Sequence, residues 1–263
     1  MLIDSHVNLH APQFDDDREA VIERARAAGV GLMVNICDKV ANFDKVRAVA
    51  DAPDIWATVG THPHEAKDDP DLTAARLIEL AADPRVVGIG ECGLDFHYDL
   101  SPRDIQARVF RAHVAAARET GLPLVIHTRD ADEDTAAILR EDTKKGAFPA
   151  VLHCFTGGRA LAFEATDLGL YVSFTGILTY KKTEDLRAIA AALPADRILV
   201  ETDSPYLGPG KFRGKRCEPA YVVETAKVLA ETRGVSLDEI ARQTTENFFR
   251  LFAKVPKPVA AAA

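Results

Sequence analysis

Four apolar runs in this chain each stop at a side chain able to hold a metal ion. Val86-Val87-Gly88-Ile89-Gly90 ends at Glu91, Leu124-Val125-Ile126 at His127, Val151-Leu152 at His153, and Ile198-Leu199-Val200 runs into Glu201-Thr202-Asp203. The opening Leu2-Ile3-Asp4-Ser5-His6 is a fifth case. Short apolar runs of this kind suit strands buried on both faces of a parallel sheet. Residues that end parallel strands lie along one edge of the sheet, and if the sheet closes on itself they converge at one mouth. The glycines around Glu91 let neighbouring groups approach the backbone closely.

Strand-like runs recur at about 3–7, 30–36, 55–60, 86–91, 123–127, 149–154, 170–174 and 197–203. Helical patterns separate them at about 15–28, 41–51, 71–82, 102–120, 131–142, 159–168 and 182–192, with two more at about 218–232 and 236–252. Eight strands alternating with helices require right-handed crossovers and a parallel sheet. The 263 residues match one (β/α)8 barrel, which takes about 250. The expected fold is therefore an α/β (β/α)8 TIM barrel in a single domain over residues 1–255, with a disordered tail at 256–263. Ser101-Pro102 predicts a helix N-cap followed by proline at the first helical position, and Ser236-Leu237-Asp238-Glu239 a capping box. Gly29, Gly121 and Gly169 are placed to end helices.

Several function classes are disfavoured. Gly88-Ile89-Gly90-Glu91-Cys92-Gly93 matches a dinucleotide fingerprint in letters. No helix opens at its third glycine, however, and Glu91 would face a pyrophosphate with like charge. The four cysteines (Cys37, Cys92, Cys154, Cys217) form no C-x-x-C pair, which argues against a zinc ribbon or a disulfide framework. Strand alternation turns Cys92 and Cys154 away from the face of their neighbours Glu91 and His153. A net charge of −8 argues against a protein that coats nucleic acid, but leaves room for a local basic patch. No apolar run is long enough to span a bilayer, and Asp4 comes too soon for a signal peptide. The expectation is a cytoplasmic protein, monomeric by default.

Of eight histidines, only His113 falls within a helical pattern, in step with Ile105, Val109 and Ala116, and it reads as a packed structural residue. His6, His10, His62, His64, His97, His127 and His153 lie at or beyond strand ends. A lone histidine there is commonly a structural one bonded to a carbonyl. His127 and His153 ending adjacent strands beside Glu91 instead point to a metal site for zinc, manganese or a similar divalent ion. Asp203 has two readings, a helix cap or a carboxylate brought beside His6 by barrel closure. In the second it binds metal and accepts a proton from the attacking water. Glu91 would then lie between two ligand groups.

Asp4-Ser5-His6, Gly60-Thr61-His62-Pro63-His64, Gly90-Glu91-Cys92-Gly93-Leu94-Asp95, His127-Thr128-Arg129-Asp130, His153-Cys154-Phe155-Thr156-Gly157 and Glu201-Thr202-Asp203-Ser204-Pro205-Tyr206 together resemble the TatD family. They occur in family order across nearly the whole chain. The resemblance implies a TIM-barrel metal-dependent hydrolase with DNase or 3′–5′ exonuclease activity. It also implies up to two divalent ions (zinc, manganese, magnesium or similar), one held by His6, Glu91 and Asp203 and one by Glu91, His127 and His153. Asp203 and Glu91 would be the catalytic residues, and single-stranded DNA the substrate.

The chain departs from the family at His6-Val7-Asn8, where His-x-His is usual. Asn8 stands where the second imidazole belongs, and its amide oxygen is a poorer donor to a zinc-like ion. A weaker first metal is expected, with Asn8 a candidate ligand. His62 and His64 resemble substrate-entrance residues of the family; phosphate contact and a structural loop role both remain open. Lys211, Arg213, Lys215 and Arg216 form either a solvated surface or a phosphate clamp. Arg129 would orient a ligand or touch substrate, and Asp4 would fix the tautomers of the ligating histidines. The rival readings are a hydrolase of another ester or amide, including D-aminoacyl-tRNA, and a binding barrel with a decayed site.

Overall fold

The computed structural model describes residues 1–257; residues 258–263, most of the tail expected to be disordered, lie outside the described part. The strands are β1 (Leu2–Val7), β2 (Val30–Asn35), β3 (Ile55–Val59), β4 (Val86–Asp95), β5 (Leu124–Arg129), β6 (Ala150–Leu152), β7 (Tyr171–Phe174) and β8 (Ile198–Val200). All pair in parallel with their sequence neighbours, in the order β1 to β8. Helices α1 (Arg18–Ala27), α2 (Phe43–Val49), α3 (Ala74–Ala81), α4 (Arg103–Thr120), α5 (Asp132–Thr143), α6 (Arg159–Asp167) and α7 (Glu184–Ala192) connect them, and α8 (Val222–Arg233) and α9 (Leu237–Leu251) follow β8. This is the expected (β/α)8 barrel. No described helix is long and apolar enough to cross a membrane.

One buried layer takes a residue from every strand: Ile3, Leu32, Trp56, Val87, Val125, Val151, Tyr171 and Leu199 pack together with Phe248, Phe249 and Phe252. The C-terminal end of α9 thus plugs the barrel floor, and the opposite end carries the polar side chains. The ring closes just above that layer. Val7 bridges to Ser204, Ser204 O accepts from Asn8 N at 2.7 Å, and His6 O accepts from Asp203 N at 3.0 Å. Asp4, wholly buried, completes the seam by accepting from Thr202 N at 2.9 Å and Thr202 Oγ1 at 2.6 Å. Asp4 therefore joins the first strand to the segment after the last one and bonds no histidine ring, contrary to the role expected for it.

The glycine stops are as expected, with φ of +87° at Gly29, +70° at Gly121 and +83° at Gly169. Ser236 caps α9 by accepting from Glu239 N at 3.1 Å. The Ser101 expectation is corrected. Pro102, extended at ψ 135°, is itself the residue before the helix. Ser101 Oγ instead donates to His64 O at 2.8 Å and accepts from Lys67 N at 3.1 Å, tying the loop after β4 to the loop after β3.

Candidate metal centre

Glu91 lies within β4 rather than at its end, because the strand runs on to Asp95 past a register shift between Ile89 and Cys92. Close backbone approach makes this possible. A Cβ on Gly60 would fall 2.4 Å from Gly90 Cα, and one on Gly93 would fall 2.0 Å from His127 O. Gly93 also takes a φ of +133° that side chains rarely adopt. β6 and β8 stop early, at Leu152 and Val200, so His153 and Asp203 sit on the loops that follow, Asp203 at φ +56°.

The Glu91 carboxylate stands between two groups of donors. Its Oε1 lies 2.7 Å from His153 Nε2, 3.2 Å from His127 Nδ1 and 3.3 Å from His62 Nε2. Its Oε2 lies 3.4 Å from His6 Nε2, which is itself 3.5 Å from Asp203 Oδ1. The His6 and His153 rings stack 3.9 Å apart. The structure thus brings His6, Glu91, His127, His153 and Asp203 together at one mouth. His62, read from sequence as an entrance residue, reaches the same carboxylate. Donor atoms of His6, His153 and Glu201 lie within 4.8 Å of one another, as do those of His62, Glu91 and His127.

Two carboxylates that sequence reasoning did not single out hold these imidazoles from behind. Asp95 Oδ2 lies 2.9 Å from His127 Nε2 and 2.8 Å from His64 Nε2. Glu201 Oε1 lies 3.2 Å from His153 Nδ1 and accepts from Cys154 N at 2.7 Å. Such partners set which ring nitrogen stays free toward a metal. The signal for Asp95 was available: it follows Glu91 by four residues within the run Glu91-Cys92-Gly93-Leu94-Asp95.

Asn8 lies at this mouth but turns its amide nitrogen to Asp203 Oδ1 at 3.2 Å and Ser204 O at 3.3 Å. It steadies Asp203 in this arrangement. Arg129 has its guanidinium 4.7 Å from the Tyr98 ring centroid, and Arg213 lies 4.4 Å from that of Tyr180. Arg216 does not fit the clamp expected of it, because Asp17 at 2.7 Å and Glu218 at 3.1 Å already pair its guanidinium. His113 is buried, as expected, with Nδ1 2.8 Å from Val109 O and Nε2 accepting from Thr61 N at 3.0 Å.

The donor set fits divalent cations. Four carboxylates (Glu91, Asp95, Glu201, Asp203) face one mouth, and buried negative charge needs compensation. His6 Nδ1 and Nε2 and His153 Nε2 are buried without a hydrogen-bond partner. His153 Nε2 is close to Glu91 yet misaligned for such a bond, as expected of two donors aimed at a common third point. Burial pushes Glu91 up, but His153, His62 and His6 override it and hold the carboxyl well below its usual range. Burial likewise lowers His153, and Glu91 and Glu201 override that and raise it. Burial raises Asp203 to about 6, aided by Glu91 and Glu201 and opposed by His6 and His153. Burial lowers His62 to about 4 despite Glu91, leaving a neutral ring whose Nδ1 accepts from His64 N at 3.1 Å and whose Nε2 faces Glu91.

Comparison with known proteins agrees with this geometry. The model of the TatD related DNase family matches residues 3–253. An uncharacterized metal-dependent hydrolase, YabD of Bacillus subtilis, is 43% identical over 258 residues, covering 96% of this chain and 99% of that protein. The 3′-5′ ssDNA/RNA exonuclease TatD of Erwinia tasmaniensis is 39% identical over 258 residues, covering 95% and 99%. The crystal structure of YJJV, a TatD homolog from Escherichia coli, superposes with a TM-score of 0.86 at 29% identity, covering 97% of this chain and 98% of that one. The chain belongs to the TatD family and is a metal-dependent hydrolase.

Proposed function

We propose that this hydrolase is a phosphodiesterase acting as a 3′–5′ exonuclease on single-stranded nucleic acid. The observation that carries the reading is the division of the Glu91 carboxylate, one oxygen toward His127 and His153 and the other toward His6 beside Asp203. His6, Glu91 and Asp203 would hold one divalent ion, and Glu91, His127 and His153 a second. Such ions, when bound, supply Lewis acidity and make water a nucleophile near neutral pH. Asp203 would act as the base: its side chain is 17% exposed, so water reaches it, and its Oδ1 stands 3.5 Å from His6 Nε2, beside the place an ion would take. Asn8 positions that carboxylate. Asp95 and Glu201 keep His127 and His153 in orientation, which resists misplacement of the reacting groups. Lys211, Arg213 and Lys215 on the β8 loop are exposed and carry no carboxylate partner among the described residues, which supports their contact with phosphates.

The test uses chelator-stripped protein and a 5′-labelled single-stranded oligonucleotide, with magnesium, manganese or zinc added back singly, for wild type and Asn8→His. Stripping should abolish cleavage, and at least one ion should restore a ladder that shortens from the 3′ end. Asn8→His, by adding an imidazole donor, should lower the ion concentration needed for half-maximal activity. Wild type that cleaves no oligonucleotide with any ion, yet hydrolyses a carboxylic ester or a D-aminoacyl-tRNA, would overturn the reading.

A further inference from the structure

The loop after β4 presents an exposed ring on an immobilised backbone. His97, Tyr98, Asp99 and Leu100 are all exposed, Tyr98 at 53%. Beneath them, buried Asp95 accepts from Tyr98 N at 2.8 Å and His97 N at 3.1 Å through Oδ1. Buried Gln106 accepts from Asp95 N at 2.8 Å and donates to Ser101 O at 2.8 Å, clasping both ends of the loop. The other oxygen of Asp95 holds His127, which lies 3.2 Å from Glu91. One carboxylate therefore fixes both an imidazole of the centre and the chain that carries Tyr98.

The surroundings of the ring are polar rather than apolar: one guanidinium, two imidazoles and the Asp130 carboxylate, 2.8 Å from His97 Nδ1. His64 and His97 meet it nearly edge-to-face at 5.4 and 4.9 Å between centroids, and the Arg129 guanidinium lies over one face of the ring, 4.7 Å from its centroid. Arg129 makes no side-chain hydrogen bond or ion pair with any described residue. A tyrosine half in solvent, next to an unpaired cation and held rigidly beside a metal-facing imidazole, contributes little to the core. It has the make-up of a stacking platform.

We infer that Tyr98 and Arg129 form a nucleotide subsite, in which an unpaired base stacks on the face of the phenol ring that Arg129 leaves open and the adjoining phosphate meets the guanidinium. The inference rests on the phosphodiesterase reading above and gives it a reason to prefer single strands, since a base inside a duplex is already stacked on both faces. The loops after β4 and β8 lie four strands apart in a ring of eight, so they face each other across the mouth. A strand running from Tyr98 to the cations of the β8 loop crosses over Glu91 and Asp203 on the way.

Two measurements test this. The first is binding of an oligonucleotide carrying 2-aminopurine to chelator-stripped protein, where stacking quenches the fluorescence. The second compares kcat/KM on a single-stranded oligonucleotide with that on bis(4-nitrophenyl) phosphate, a phosphodiester without a base. Tyr98→Ala should abolish the quench and lower the oligonucleotide-to-small-ester ratio by about 10-fold or more, chiefly through KM, while Tyr98→Phe restores both. A single abasic position in the substrate should erase the difference between wild type and Tyr98→Ala. Wild type that gives no quench, or Tyr98→Ala that lowers both substrates equally, would overturn the subsite and leave the exonuclease reading standing. Quenching without cleavage under any ion would keep the subsite and remove the exonuclease.

Discussion

His113 shows what one buried imidazole does behind the centre, on the backbone that leads into His62. Its Nε2 accepts the Thr61 amide, so a second proton on the ring would face that N–H donor head-on. Burial lowers it to about 4 from the ordinary 6.5. The folded state therefore favours the neutral form: its contribution to stability is complete above pH 6.5 and lost as pH falls from 6.5 toward 4. The span corresponds to about 3 kcal/mol. In urea titrations at several pH values, the stability gap between wild type and His113→Gln should narrow by that order between pH 7.5 and 4.5; parallel curves would remove His113 as the titrating group. Helical spacing alone disclosed that this histidine packs inward. Its partner Thr61, 52 residues away, could not be read from the sequence, because only the fold brings it there. The same limit explains the other residue-scale differences. His6, Glu91, His127, His153 and Asp203 were legible because each follows an apolar run. The contacts of Asp95 and Glu201 depend on how neighbouring strands are staggered. Asp4 was misassigned because the seam between the first strand and the last has no local signature.

At the scale of elements, the strands were legible by position and less so by length. β4 outruns its expected end at Glu91 by four residues, and β6 and β8 stop short of His153 and Glu201. Apolar runs mark where a strand is buried, whereas its end is decided by pairing, and glycines allow pairing to continue past a carboxylate. The apposition of β3 and β4 is the sharpest case. Gly60 needs no unusual φ, so an added methyl would be tolerated by its own backbone, but it would lie 2.4 to 2.8 Å from the Gly90 backbone. Gly60→Ala should therefore push β4 away at the peptide preceding Glu91. We expect a loss of about 1–3 kcal/mol in unfolding free energy and a fall in bound metal measured by elemental analysis. Gly169→Ala is the comparison, since its φ of +83° is unfavourable for alanine but nothing lies within 4 Å of the added atom. It should cost about 1 kcal/mol and leave metal content unchanged. Equal metal loss in both variants would mean that general destabilisation, rather than displacement of Glu91, governs the centre.

For the molecule as a whole, the net charge of −8 and a nucleic-acid substrate pull in opposite directions. A chain governed by its total charge would repel a polyanion, and added salt would screen that repulsion and strengthen binding. Binding through a few local cations has the opposite sign, because each phosphate contact releases counterions and is weakened by salt. The barrel favours the second case by gathering Lys211, Arg213 and Lys215 on the β8 loop and Arg129 at the end of β5, all at the face where Glu91 sits. Four contacts with a single strand give a slope of log K against log salt near −3, at about −0.7 per phosphate. Affinities measured between low and physiological salt, without metal, should follow that slope, and neutralising Lys211 or Lys215 to glutamine should reduce it by about 0.7 each. Arg216→Gln should leave the slope alone, because its guanidinium is already paired with Asp17 and Glu218, and should instead loosen the contact between α1 and the segment before α8. A slope of zero or of positive sign would show that the strand does not lie across the β8 loop. A slope reduced by Arg216→Gln as much as by the lysine variants would show that the ion pairs with Asp17 and Glu218 open when nucleic acid binds.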